Sequence, residues 1–170
     1  MTNKRLPNFV LVLPMVLLAG LCFGQKQTSH QKPDFTGTWV LDRSQSNVDS
    51  GISDYVLTII HREPDIRMTK QYKRGKKQIT EELEYHTDGK AEANPNQRPD
   101  DPSPETKWNG PKLVRRSVSR PAGRGSLVVE MVTYEEWSLS SDQQTLTRAV
   151  EMTMGPSLIA KMKSVFKRRQ

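Results

Sequence analysis

Residues 127–154 read LVVEMVTYEEWSLSSDQQTLTRAVEMTM, and this stretch decides the fold class. Val129, Met131, Thr133, Glu135, Trp137 and Leu139 recur at every second position. After a polar turn at Ser140 to Gln143, Leu146, Arg148, Val150 and Met152 do the same. A period of two places each set on one face of a β-strand, because successive side chains of a strand point to opposite faces. Two such strands joined by a short polar turn form an antiparallel hairpin, with a long strand expected over 127–139 and its partner over 145–154.

The same rhythm extends upstream. Pro33 to Leu41 is an alternating strand, Ser44 to Ser53 a polar loop, and Tyr55 to His61 a β-branched strand apolar on both faces. Glu63-Pro64-Asp65 is a turn, after which Ile66, Met68, Lys70 and Tyr72 alternate with Arg67, Thr69 and Gln71. Gly75 marks the next turn. From Gln78 to His86, Ile79, Leu83 and Tyr85 share a face that Glu81 alone interrupts. Asp88-Gly89 is a hairpin-type turn. Residues 94–105 hold Pro95, Pro99, Pro102 and Pro104 among polar residues and read as a long extended loop. Thr106 to Trp108, the Asn109-Gly110 turn and Lys112 to Ser119 complete another hairpin, and a loop over 121–125 leads into the opening stretch.

These are about eight short strands joined by tight turns, with no helix between them. A meander of this length must close into a barrel or fold into two packed sheets to hide its edges, so an all-β, up-and-down barrel is expected. The last stretch admits two readings. Leu158, Ile159, Met162, Val165 and Phe166 recur at helical spacing behind Pro156, whereas Met162, Ser164 and Phe166 alternate as a closing strand would. The strand is the preferred reading.

Phe35-Thr36-Gly37-Thr38-Trp39 resembles the first strand of the lipocalin-like (calycin) β-barrels, in which a Gly-x-Trp sets Trp across one end of the barrel. Trp108-Asn109-Gly110, Glu135 to Ser140 and the closing Val165-Phe166 are similar to motifs of short, uncharacterised exported bacterial proteins with that Phe-Ser/Thr-Gly-x-Trp start. The resemblance implies a lipocalin-like barrel of about 8–10 strands whose last strand is the C-terminus. It gives Gly37 and Trp39 structural roles. In the larger families such barrels bind small apolar molecules, although a fold does not establish a function.

The N-terminus carries Lys4 and Arg5, then an apolar run from Phe9 to Phe23 broken only by Pro14 and Gly20. That run is 15 residues long, short of the roughly 20 that span a bilayer. A secretory signal peptide over 1–24, cut after Gly24, is expected, followed by a flexible leader over 25–32 and one domain over 33–170. An uncleaved anchor is the alternative. Lipidation of Cys22 is disfavoured, because Leu21 stands where a small residue is needed. The expected site of action is outside the cytoplasm, periplasmic or secreted. Cleavage removes the chain's 1 cysteine and two of its 26 cations, leaving 24 against 19 acids. Lys161, Lys163, Lys167, Arg168 and Arg169 account for the excess, so the body is charge-balanced and nucleic acid is not an expected partner.

No catalytic or metal constellation stands out. His30, His61 and His86 lack ligand spacing, and the acid pairs 81–82 and 135–136 diverge on strands. The pair Asp100-Asp101 falls in a loop and reads as solvated. No nucleophile motif or phosphate loop is found, so neither an enzyme nor a cofactor is expected. What is unusual is charge on apolar faces. Arg148 lies in line with Leu146 and Val150, Arg115 with Leu113 and Ser117, and Glu135 with Trp137 and Leu139. A buried unpaired charge costs several kcal/mol. The bland reading is a buried or rim Arg–Glu pair. The functional one is an inward Arg148 receiving an acidic head group, with Arg115 and Glu135 beside it and Trp137, Tyr85 and Ile79 lining an apolar cavity. The expected partner is then a small apolar or amphipathic molecule bound by a monomer. A structural module of the cell envelope is the runner-up, its basic C-terminal segment touching an anionic membrane surface.

Overall fold

The computed structural model describes residues 32–90, 92, 101–120 and 129–169. The expected signal peptide, Cys22, His30, nearly all of the leader and most of the proline-rich loop lie outside them. The strands are β1 (Gly37–Leu41), β2 (Ile52–Arg62), β3 (Asp65–Arg74), β4 (Lys77–His86), β5 (Glu105–Asn109), β6 (Lys112–Ser119), β7 (Met131–Leu139), β8 (Thr145–Met154) and β9 (Ser157–Arg168). A single turn of 3-10 helix, Arg43–Gln45, follows β1 and is capped by the Asp42 carboxylate.

All nine strands belong to one antiparallel sheet in the order β4-β3-β2-β1-β9-β8-β7-β6-β5, curled strongly into a half-barrel. The up-and-down meander read from the sequence is therefore the architecture. The first and last strands meet at its centre, where Trp39 stands opposite Arg168 and Leu41 opposite Phe166. The two edges are β4 and β5. The last stretch is a 12-residue strand, with Met162, Ser164 and Phe166 in register with Val150, Arg148 and Leu146. Pro156 is part of a two-residue hairpin loop instead of a helix start. Gly155 holds φ at 55° there, which a glycine adopts at no steric cost and which suits a tight β-turn.

Two boundaries differ from the sequence reading. The strand expected from Leu127 begins at Met131; Val129 and Glu130 lie outside the ladder, although the Glu130 carbonyl accepts the Gly155 N–H at 3.2 Å. The loop expected through Ser53 ends earlier: β2 starts at Ile52 and crosses a register shift between Ser53 and Val56. Asp54, at φ 49°, marks that bulge.

The core lies on the concave side. Phe35, Trp39, Leu57, Ile59, Ile66, Met68, Tyr85, Leu113, Trp137, Leu146 and Phe166 form one buried cluster. Every strand but β5 contributes one or two residues to it, from the inward set that a period of two defines, and Trp108 of β5 packs against it. Trp39 donates its indole N–H to the Phe35 carbonyl at 2.9 Å. The Arg168 guanidinium lies 4.2 Å above its ring and donates to the carbonyls of Thr36 and Gln143. Gly37 makes room for this stack: at φ 147°, a Cβ there would come within 2.5 Å of Arg168 Nη1. Gly37 and Trp39 thus act structurally, at the junction of the chain's two end strands.

Candidate functional site

Charged side chains stand on the concave face of β3, β6, β7 and β8. Alternation alone puts them there: Arg148 follows Leu146, Glu135 precedes Trp137 and Arg115 follows Leu113 on the inward rows. In the sheet Arg115 is directly opposite Glu135, and Trp137 opposite Arg148. The Nε and Nη2 atoms of Arg148 both lie 2.8 Å from Glu135 Oε2. Arg115 Nη1 reaches the other carboxylate oxygen at 3.5 Å. Arg115 Nε donates to Glu92 at 2.7 Å, and the Glu92 side chain is fully buried. Thr106 donates its hydroxyl to the same Glu92 carboxylate.

Each of the two guanidinium groups packs on one aromatic face. The Arg115 guanidinium is 4.7 Å from the Tyr85 ring centroid, and that of Arg148 is 5.4 Å from Trp137. Such contacts offset part of the desolvation that burial imposes on a guanidinium. Burial on its own would push the Glu135 carboxyl up, but Arg148, Lys70 and Arg115 outweigh it and hold it below the usual carboxylate range. Burial drives the Tyr85 hydroxyl far above its ordinary value, and the Tyr55 hydroxyl up to about 12. Both are neutral hydroxyls at physiological pH.

Five of the six residues singled out in the sequence meet here: Arg148, Arg115, Glu135, Trp137 and Tyr85. Ile79 shares their inward-facing row but sits opposite Tyr72 near the Gly75 turn, half-exposed and outside the core cluster. Two residues that sequence reasoning missed belong to the site. Lys70 is inward and 9% exposed, between Leu57 and Glu81 in register. Burial, and next the nearby Arg148, lower its ammonium to about 8. Its position in the run Ile66, Met68, Lys70, Tyr72 was the available signal. Glu92 follows β4 and gives no periodic signal; the folding back of the chain brings it to Arg115.

A second polar knot ties the β2–β3 turn to the far edge of the sheet. Glu63 accepts hydrogen bonds from Lys32 at 2.8 Å, Thr87 at 2.9 Å and the Trp108 indole at 2.7 Å. His61 Nε2 is 3.0 Å from it. Burial pushes the Glu63 carboxyl up, but these four partners hold it at about 2. The His61 ring stacks on Trp108, and Phe35 donates its backbone N–H to His61 Nδ1. His61 is therefore a structural histidine. Asp101, read as solvated, is buried. Among the described residues no group of three or more His, Cys, Asp or Glu is placed to hold a metal ion. None of their helices is long and apolar enough to cross a membrane. On the convex side Ile60, Arg67, Thr69, Glu82 and Glu84 line a shallow groove of about 500 Å3.

The fold and this interior define an antiparallel all-β half-barrel with a charged cluster on its concave side. Compared with known proteins, the chain matches no family model and no curated sequence.

Proposed function

We propose that the chain is an exported, non-catalytic, lipocalin-like protein that takes up a small apolar or amphipathic molecule on its concave face. The observation that carries this reading is the buried ion cluster of Arg148, Glu135, Arg115 and Glu92 in the middle of an apolar surface. Stability does not call for it. A buried ion pair is often no better than hydrophobic residues of the same volume, because the desolvation of both charges offsets their attraction. A charged cluster flanked by Tyr85, Trp137 and the apolar core has the make-up of a small-molecule site, mostly apolar with a few converging polar groups. The Phe35-Thr-Gly-x-Trp start and the strand-paired C-terminus support the lipocalin-like reading. The apolar N-terminal run supports export, with action in the periplasm or outside the cell. Isothermal titration of the monomer with dodecanol and dodecanoate tests the uptake. Saturable one-to-one binding with a negative heat-capacity change is expected, and flat isotherms with both compounds refute the reading.

One observation favours the runner-up, a filled envelope module that touches a membrane. The β8–β9 hairpin exposes Met154, Leu158 and Ile159, and Lys163 follows on β9. Arg169 is exposed as well, whereas the other three cations of the basic segment are engaged. Lys161 pairs with Glu151, Lys167 donates to Thr145, and Arg168 caps Trp39. Removing the segment from Lys161 onward would delete two thirds of a central strand, so a Leu158→Ser/Ile159→Ser variant is the cleaner test. Unchanged sedimentation with anionic vesicles rules this reading out.

A further inference from the structure

We infer that Met131, Met152 and Met154 form a thioether site for a soft monovalent metal ion of the Cu(I) class, at the far end of the concave face. This goes beyond the uptake reading and stands whether or not that face takes up an amphiphile. The inward rows of β7 and β8 start in the core at Trp137 and Leu146 and run on through Glu135, Arg148 and Val150. They end on Met131 from β7 and on Met152 and Met154 from β8. None of the three joins the buried cluster or packs against it, whereas Met68 is part of it. Met131 and Met152 are half-buried, and Met154 is 37% exposed. Inward apolar side chains left open to water, side by side, are not accounted for by core packing.

The register sets their spacing. Met131 is directly opposite Met154, and Met152 is opposite Thr133, which puts it diagonal to Met131 and two residues from Met154 on the same strand. Facing Cβ atoms of an antiparallel pair lie about 4.5–5.5 Å apart and diagonal neighbours about 7–8 Å. The three rotatable bonds of each unbranched side chain let the sulfurs meet over one point between the strands. The platform beneath them is held on both sides, β7 by β6 and β8, and β8 by β7 and β9. The donor set then decides the class of ion. Thioethers are neutral and soft and select Cu(I), whereas zinc takes imidazole and thiolate, and magnesium and calcium take oxygen. The residues in register with the three on neighbouring strands are Ser119, Thr133, Ala160 and Ser157, none of them a carboxylate, imidazole or thiol. Glu135, the next acid along the inward row of β7, is held by Arg148 and Arg115. Donors without charge favour a singly charged ion over a doubly charged one, because the cost of taking an ion out of water rises with its charge.

The test is titration of the protein with Ag(I), a redox-stable soft ion, in chloride-free buffer, with Zn(II) run beside it. Cys22→Ser is carried throughout, so that the chain's 1 cysteine cannot compete. Methionine ε-methyl resonances of protein labelled with 13C at that position give the location, and isothermal titration gives the affinity. One equivalent of Ag(I) should shift the methyls of Met131, Met152 and Met154 and leave that of the core residue Met68 in place, and Zn(II) should shift none of them. Met131→Leu/Met154→Leu keeps the apolar surface and its volume while removing two sulfurs. It should lower Ag(I) affinity at least about tenfold, since even the partners behind metal ligands are typically worth that much. The methyl shifts stand without the variant if it does not fold. No shift at these three methyls, a shift spread evenly over all the methionines, or unchanged affinity in the leucine variant overturns the inference.

Discussion

Glu135→Gln isolates the charge at the centre of the cluster without changing its shape. Glu135 is 5% exposed and accepts two nitrogens of Arg148 at 2.8 Å, with Arg115 at 3.5 Å. Its attraction to one guanidinium at that range is about 4 kcal/mol at an effective dielectric constant near 20. The Gln carbonyl keeps one hydrogen bond, so about 3 kcal/mol should be lost, close to the range measured when one member of a buried pair is removed. For a domain of this size that lowers the melting temperature by on the order of 10 °C. Urea denaturation followed by tryptophan fluorescence reads it directly. The companion variant Glu135→Leu/Arg148→Met should recover at least half the loss, because it removes the stranded cation along with its partner. A loss under about 1 kcal/mol for Glu135→Gln would mean that water screens the cluster, and the interior would not be the low-dielectric site described above.

Lys70→Met should stabilise the unliganded protein by about 3 kcal/mol at pH 7, since burial lowers the ammonium from 10.5 to about 8. The sign follows from proton counts. Between pH 8 and 10.5 the unfolded lysine holds a proton that the folded one has lost, so unmodified protein gains stability as pH rises through that window. The variant's advantage should shrink correspondingly, and urea midpoints at pH 7 and pH 9.5 check it. Gly37→Ala should cost about 1–3 kcal/mol, because alanine disfavours φ 147° and its Cβ crowds the Arg168 guanidinium; thermal denaturation monitored by circular dichroism reads this. Glu63, held at about 2 against 4.5 when unfolded, supplies stability that is present above pH 4.5 and lost as pH falls through 2. Its partial exposure discounts this to roughly 1 kcal/mol. Glu63→Gln should flatten the acid limb of the stability curve by that amount, as urea midpoints at pH 3 and pH 6 would show.

The strands and most of the site were legible because alternation is local. Arg115, Glu135 and Arg148 each interrupt an apolar row of period two, and each is inward for that reason. Lys70 interrupts its row in the same way. A long aliphatic stem lets a lysine reach water from an inward position, so its burial depends on neighbours that the local sequence does not reveal. Glu92 and the Glu63–Trp108 bond join residues far apart in sequence, 23 and 45 positions from their partners. No periodicity encodes such contacts. β9 stayed ambiguous because Leu158, Ile159, Met162, Val165 and Phe166 recur at helical spacing while Met162, Ser164 and Phe166 alternate as a strand would. Pairing with β1 and β8 on its two sides settles it, since a helix there would leave both of those strands with an open edge.

Native mass spectrometry of the protein, purified from the cells that make it, tests the uptake reading most directly. The expected spectrum shows a chain beginning at Gln25 with one small organic molecule bound, released on collisional activation and replaceable by added dodecanoate. Bare polypeptide alone, both as purified and after incubation with dodecanoate, would contradict it.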